Sequence, residues 1–182
     1  MEQYSAKFQA KEVFKYCPQC GSESFKFQGQ KSFLCHHCDF LYYINVAGAV
    51  AALILDSKNQ LLFVRRALDP HKGTLDLPGG FIDMGESAEH ALEREILEEL
   101  KTEVNQYEFY KSYPNQYTFR GYTYHTIDLF FKVFVEDFSV LEAGDDAAAL
   151  VYKPVNEVTP DEIGLHSIRQ VVMHFLTEID EK

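Results

Sequence analysis

A run of carboxylates at helical spacing, with an arginine among them, is the strongest chemistry this chain offers. Glu86 is followed by Arg94-Glu95 and then by Glu98-Glu99. An α-helix turns about 100° per residue, so Glu95, Glu98 and Glu99 fall within an arc of about 100°. Ala88, Ala91, Leu92, Ile96 and Leu100 lie on the same side of that helix. An amphipathic helix normally turns its acids away from its apolar stripe, yet Glu95 and Glu99 interrupt this one. Carboxylates one turn apart repel, and partial burial adds a desolvation cost. A divalent cation offsets both. Mg²⁺ is a hard ion held by one or two carboxylates together with waters and substrate phosphates. Taken alone, the helix also fits a solvated acidic face supported by i,i+3 and i,i+4 pairs.

The approach to the helix separates these readings. Leu77-Pro78-Gly79-Gly80-Phe81 precedes it. Pro78 fixes its own φ, and the two glycines let the backbone approach a ligand closely. Ser87, after Gly85-Glu86, is an expected N-cap. The register from Gly80 is five residues, Glu86, seven residues, Arg94-Glu95, Ile96, one residue, Glu98-Glu99. It resembles the Nudix box of the Nudix hydrolases, G-x5-E-x7-R-E-U-x-E-E-x-G-U. The chain departs from that pattern at its end, where Lys101 stands for the glycine and Thr102 for the aliphatic residue. Leu75 stands where many relatives carry Trp before the turn.

The resemblance implies Mg²⁺ or Mn²⁺ held by Glu98 and Glu99. Glu95 is then a third ligand or orients the attacking water, Glu86 assists through water, and Arg94 holds the glutamates. Gly79 and Gly80 would shape the pyrophosphate site. The reaction implied is hydrolysis of a nucleoside diphosphate linked to another moiety. Such relatives often supply a further carboxylate from a late loop. Glu142, Asp145 and Asp146 occupy one here, and a solvated loop is the simpler reading of each.

All four cysteines lie near the start, as Cys17-Pro18-Gln19-Cys20 and Cys35-His36-His37-Cys38, with 14 residues between the pairs. Two C-x2-C knuckles can complete a tetrahedron around Zn²⁺. Disulfides or a redox motif are the alternatives. A cytosolic chain disfavours the first, and a single redox motif needs no second matched pair. A closed all-cysteine site has no open position, so structural zinc is expected. Ser24 to Gln28 and Lys31 to Leu34 should form a hairpin around Gly29.

The chain has 182 residues, is 46% hydrophobic and carries a formal net charge of −11. That length suits one domain plus a small module, here a zinc ribbon over 1–44 and a second domain over 45–182. The acidic balance argues against broad binding to nucleic acid or an anionic membrane. No signal sequence or membrane span is evident, so a cytoplasmic, soluble protein is expected. The partner expected is a small nucleotide, and a homodimer is left open.

In the second domain the patterns predict strands over Val46 to Leu55, Leu61 to Arg66, Tyr107 to Ser112, Tyr117 to Phe119, Tyr122 to Val135 and Val151 to Pro154. A terminal helix is expected over Ser167 to Ile179. Mixed strands with segregated helices indicate an α+β fold. The Nudix resemblance implies an α/β/α sandwich with a mixed sheet. Tyr117 or Phe119 could stack a nucleobase, against the simpler reading of strand packing. Arg65, or its neighbour Arg66, could hold a phosphate, although surface charge is the commoner use.

A zinc ribbon before such a domain resembles the NADH pyrophosphatases and ADP-ribose pyrophosphatase-type members. NAD(H) and ADP-ribose are therefore the leading substrates implied. The S-Q-P-W-P-F-P-type motif of NADH pyrophosphatases is replaced by Ser112-Tyr113-Pro114-Asn115-Gln116-Tyr117-Thr118. Nucleotide sugars, FAD and dinucleoside polyphosphates thus stay open. So does the other class, a non-catalytic ligand sensor or a nucleic-acid- or protein-binding ribbon.

Overall fold

A computed structural model describes residues 10–29, 31–144 and 147–180. The first module begins with a short helix α1 (Ala10–Val13). A three-stranded antiparallel sheet follows: β1 (Phe25–Phe27), β2 (Ser32–Cys35) and β3 (Leu41–Tyr43). The expected hairpin is the β1–β2 pair, with Gly29 at φ +82° in its turn. Ala10, Cys17, Phe25, Phe33 and Cys35 form a small separate core.

The second module contains β4 (Ala47–Leu53), β5 (Gln60–Arg66), β6 (Leu75–Asp76) and β7 (Gly79–Phe81). Helix α2 (Ala88–Leu100) comes next, then the long strands β8 (Tyr107–Phe119) and β9 (Tyr122–Val133), strand β10 (Ala147–Pro154) and helix α3 (His166–Asp180). One sheet has the order β7-β4-β9-β8 and a smaller one β10-β5-β6. β4 and β9 run parallel while the other pairs are antiparallel, giving the expected mixed sheet.

Alternation along β4 and β5 builds two cores. Val50, Ala52, Ile54, Leu62 and Val64 pack with Leu92, Ile96 and Leu100 of α2. Ala51, Leu53, Leu61 and Phe63 pack with Ile168, Val171 and Val172 of α3. Successive strand residues point to opposite faces, so strands apolar at every position demand a helix on each side. The result is the α/β/α sandwich implied by the sequence. Leu92 and Ile96 are fully buried, and burying each such side chain stabilises by roughly 1.5–3 kcal/mol.

Tyr107 to Ser112 and Tyr117 to Phe119 are not separate strands but parts of one, which runs through Pro114 with an irregularity between Phe109 and Lys111. β8 is an edge strand, and an edge tolerates a proline because its missing donor can fall on the unpaired side. The short strands β3, β6 and β7 carried no clear alternation in the sequence. Among the described residues no helix is long and apolar enough to cross a membrane.

Candidate active site and cysteine cluster

Helix α2 starts where its sequence predicts. Ser87 is extended, and its hydroxyl accepts a hydrogen bond from the His90 amide at 3.2 Å. Ala91, Leu92, Ile96 and Leu100 fix the buried face, and that face sets the direction of every acid on the helix.

Arg94 gathers those acids. Its Nε and one terminal nitrogen both reach Glu86 at 3.0 Å. The other terminal nitrogen donates to Glu95 at 2.8 Å and to Glu98 at 3.2 Å. Arg94 also donates to the Phe81 carbonyl at 2.9 Å, tying the helix to β7. Bidentate, charge-assisted bonds of this kind are both strong and directional. They raise the arginine pKa, the bond to Glu86 contributing most. The same bond lowers that of Glu86, helped by the Asp83 amide. Glu95 is raised instead, because desolvation outweighs Arg94, and Glu98 adds repulsion.

Glu99 accepts from the Gly79 amide at 3.0 Å. This bond joins helix and glycine turn from the other side. The two glycines make room for different neighbours. Gly79 has φ +148°, and a Cβ there would lie 2.1 Å from the Val50 carbonyl oxygen. A Cβ on Gly80 would lie 2.3 Å from Oε1 of Glu95.

These groups border a cleft of about 340 Å³ between β4, the glycine turn and the end of β8. Gly79, Gly80, Glu99, Tyr117 and Phe119 line it. Glu95 stands behind Gly80, and Glu98 is largely exposed. Tyr117 meets Phe81 edge-on at 5.6 Å and lies alongside Phe119 at 6.5 Å. Arg65 is exposed and donates to the Gly73 carbonyl, whereas Arg66 lines the cleft and pairs with Asp76 at 2.5 Å. Neighbouring strand residues face opposite ways, which separates the two arginines. Burial raises the Asp76 pKa against the opposing pull of Arg66.

The cleft also contains Asp76, Asn115, Thr126 and Asp128, all buried. None was singled out from the sequence. The signal available was alternation: Asn115, Tyr117 and Phe119 share one face of β8, as Thr126 and Asp128 do on β9. The loop holding Glu142 docks on the end of α2, with the Glu142 amide on the Leu100 carbonyl and the Gly144 amide on that of Glu99. Asp145 and Asp146 lie outside the described residues.

Residues 46–175 match the NUDIX domain family model. The chain belongs to the NUDIX family. Among curated relatives of this NUDIX protein, the NAD-capped RNA hydrolase NudC of Pectobacterium carotovorum is 28% identical over 101 residues, 55% of this chain and 38% of that protein. NudC of Vibrio cholerae is 26% identical over 103 residues, again 38% of its length. The match thus spans well under half of these relatives. Among solved structures, a NUDIX hydrolase from Nitrosomonas europaea superposes with TM-score 0.64 at 23% identity, covering 90% of this chain and 91% of that one. The NUDIX domain of Shewanella oneidensis NrtR, complexed with ADP ribose, superposes with TM-score 0.62 at 17% identity, covering 75% and 90%. These likenesses establish the fold.

The residues fit the ions their chemistry suggests. Sγ of Cys17 lies 3.7 Å from that of Cys38, and Cys20 is the same distance from Cys35. All four sulfurs fall within 4.8 Å of one another. A disulfide needs about 2.05 Å. Four thiolates about 2.3 Å from a tetrahedral zinc stand roughly 3.8 Å apart, so the spacing matches a metal tetrahedron. At α2, Glu95, Glu98 and Glu99 offer the hard oxygen donors that Mg²⁺ or Mn²⁺ takes. Desolvation raises the Glu95 pKa even though Arg94 pairs with it.

Proposed function

We propose that the protein hydrolyses the pyrophosphate bond of a nucleoside diphosphate linked to another moiety, NAD(H) or ADP-ribose foremost, at the cleft beside α2. The observation that carries this reading is the Arg94 hub. One guanidinium holds Glu86, Glu95 and Glu98 in fixed directions while Glu99 is fixed on the glycine turn. Ordered carboxylates beside a cleft wide enough for a nucleotide are what such chemistry requires.

Glu98 and Glu99 would hold Mg²⁺ or Mn²⁺, with Glu95 as third ligand or as the group that orients water. The bound ion would neutralise phosphate charge and favour ionisation of the attacking water. Arg94 keeps the carboxylates from turning away from one another. Gly79 and Gly80 leave the cleft wall low enough for a diphosphate to lie against the backbone. Tyr117 and Phe119 offer flat faces for a base or ring. Zn²⁺ on Cys17, Cys20, Cys35 and Cys38 would hold the ribbon of residues 1–44 together and take no part in the reaction. The NudC relatives are hydrolases of NAD-capped RNA and the NrtR domain is complexed with ADP ribose, which supports a substrate of the NAD or ADP-ribose kind.

The test is Glu98→Gln, assayed beside the wild type with Mg²⁺ or Mn²⁺ and NADH, NAD⁺, ADP-ribose, FAD and diadenosine polyphosphates. Glu98 is exposed, so the variant should fold. Its turnover should fall by on the order of 10²–10³. Near-normal turnover would remove Glu98 from the site. Tight binding without product from any compound would make the protein a ligand sensor.

A further inference from the structure

Asn115 is 4% exposed, lines the cleft, and its Oδ1 has no hydrogen-bond partner among the described residues. Buried acceptors are rarely left unpaired. The donors around it are already committed. Thr126, directly across the β8–β9 ladder from Asn115, donates to Oδ1 of Asp128 at 2.6 Å. Ser167 of α3 donates to Oδ2 of the same carboxylate at 2.5 Å. Arg66 is engaged by Asp76 and by the Pro70 carbonyl. The other oxygen of Asp76 accepts from the Leu77 amide.

The oxygens of Asp76 and Asp128 are thus already bonded, and the Asn115 Oδ1 is left as an acceptor in the cleft that no described side chain satisfies. Around it the walls are apolar, from Ala49, Val50, Ala51 and Ile168, and aromatic, from Tyr117 and Phe119. An unpaired acceptor beside two buried carboxylates suits a flat ring that brings its own N–H donor, and it disfavours a ring carrying a carboxylate. We propose that Asn115 is a specificity-determining residue that accepts a hydrogen bond from the NH₂ group of a flat heteroaromatic ring on the substrate. This rests on the reading of the cleft as a dinucleotide site and deepens it.

In a dinucleotide the group has two sources, the exocyclic amine of adenine and the carboxamide of nicotinamide. Three probes separate them: NAD⁺, its nicotinic acid counterpart, which lacks the carboxamide NH₂, and its hypoxanthine counterpart, which lacks the adenine amine. Binding is measured calorimetrically without divalent metal, and kcat/KM with Mg²⁺. Sites built to pair a polar group reject analogues lacking it strongly, so the wild type should bind one of the two deaminated probes at least about tenfold more weakly than NAD⁺. The disfavoured probe names the ring in the cleft. Asn115→Leu, similar in size but without the acceptor, should bring that ratio close to one. Asn115→Asp, which keeps the acceptor, should preserve it.

Equal binding of all three probes by the wild type would overturn the proposal whatever the variants do. So would an unchanged ratio in a folded Asn115→Leu, or no binding of any probe. Turnover of NAD⁺ without preference removes the role of Asn115 and leaves the hydrolase reading standing. Preference in binding without turnover removes the hydrolase reading and leaves Asn115 in place.

Discussion

Gly79 and Gly80 are neighbours whose missing side chains guard different things. A Cβ on Gly80 meets the end of the Glu95 side chain, which can swing aside. A Cβ on Gly79 meets the Val50 backbone, which cannot, and the backbone there has φ +148°. Gly80→Ala should therefore keep its melting temperature within a few degrees and, with Glu95 in the proposed role, lose roughly 10- to 100-fold in turnover, since displacing a group that positions the reaction costs about that much. Gly79→Ala should lose at least about 2 kcal/mol of stability from backbone strain and overpacking. Denaturant unfolding and kinetics on both variants check the pair. Equal stability losses would mean that Glu95 is as immobile as the backbone. At this scale the acids were legible because one helix fixes their offsets. That Arg66 rather than Arg65 lines the cleft, with Asn115 and Asp128, depended on which face of each strand meets it. Only the packing of β5, β8 and β9 settles that.

Helix α2 ends on Lys101, whose φ is +57°, and its amide donates to the Leu97 carbonyl. This left-handed position is where the Nudix box carries glycine. A side chain there costs about 1–2 kcal/mol against glycine's freedom, partly offset by the extra entropy glycine loses on folding. Lys101→Gly should raise unfolding free energy by about 1 kcal/mol, read from urea melts. A loss of stability would mean that the lysine stem packs usefully on the helix end. The sequence showed the departure from the pattern, and the structure shows that Lys101 takes the left-handed conformation a glycine would take there. Element boundaries were less legible. β8 could not be seen as one strand because Pro114 reads as a break until its strand is known to lie at a sheet edge. β6 and β7, of two and three residues, are too short to show a period.

Across the whole molecule, the ribbon and the NUDIX domain keep separate cores. Ala10, Cys17, Phe25, Phe33 and Cys35 make up the first, and the sandwich layers share none of them. Between the modules, Val13, Phe14, Tyr42 and Ile44 face Ala47 and Tyr122 to His125 across a cavity of about 470 Å³ rather than a close-packed seam. Among the described residues this core has five buried members, and modules of this size usually need a metal or a disulfide as well. The cysteines could hold the former: two are buried and the sulfurs all lie within 4.8 Å of one another. With zinc bound there as proposed, its binding would be folding energy for residues 10–44, while the sandwich packs on α2 and α3. A chelator should make the ribbon sensitive to protease at once and leave a resistant fragment covering about residues 46–175, followed by mass spectrometry. Metal analysis of the untreated protein should give one zinc per chain. Loss of resistance in both modules together would show that the seam couples them more tightly than its packing implies. Resistance of the ribbon without metal would show that its aromatic core suffices, and would leave the four thiols to some purpose other than stability.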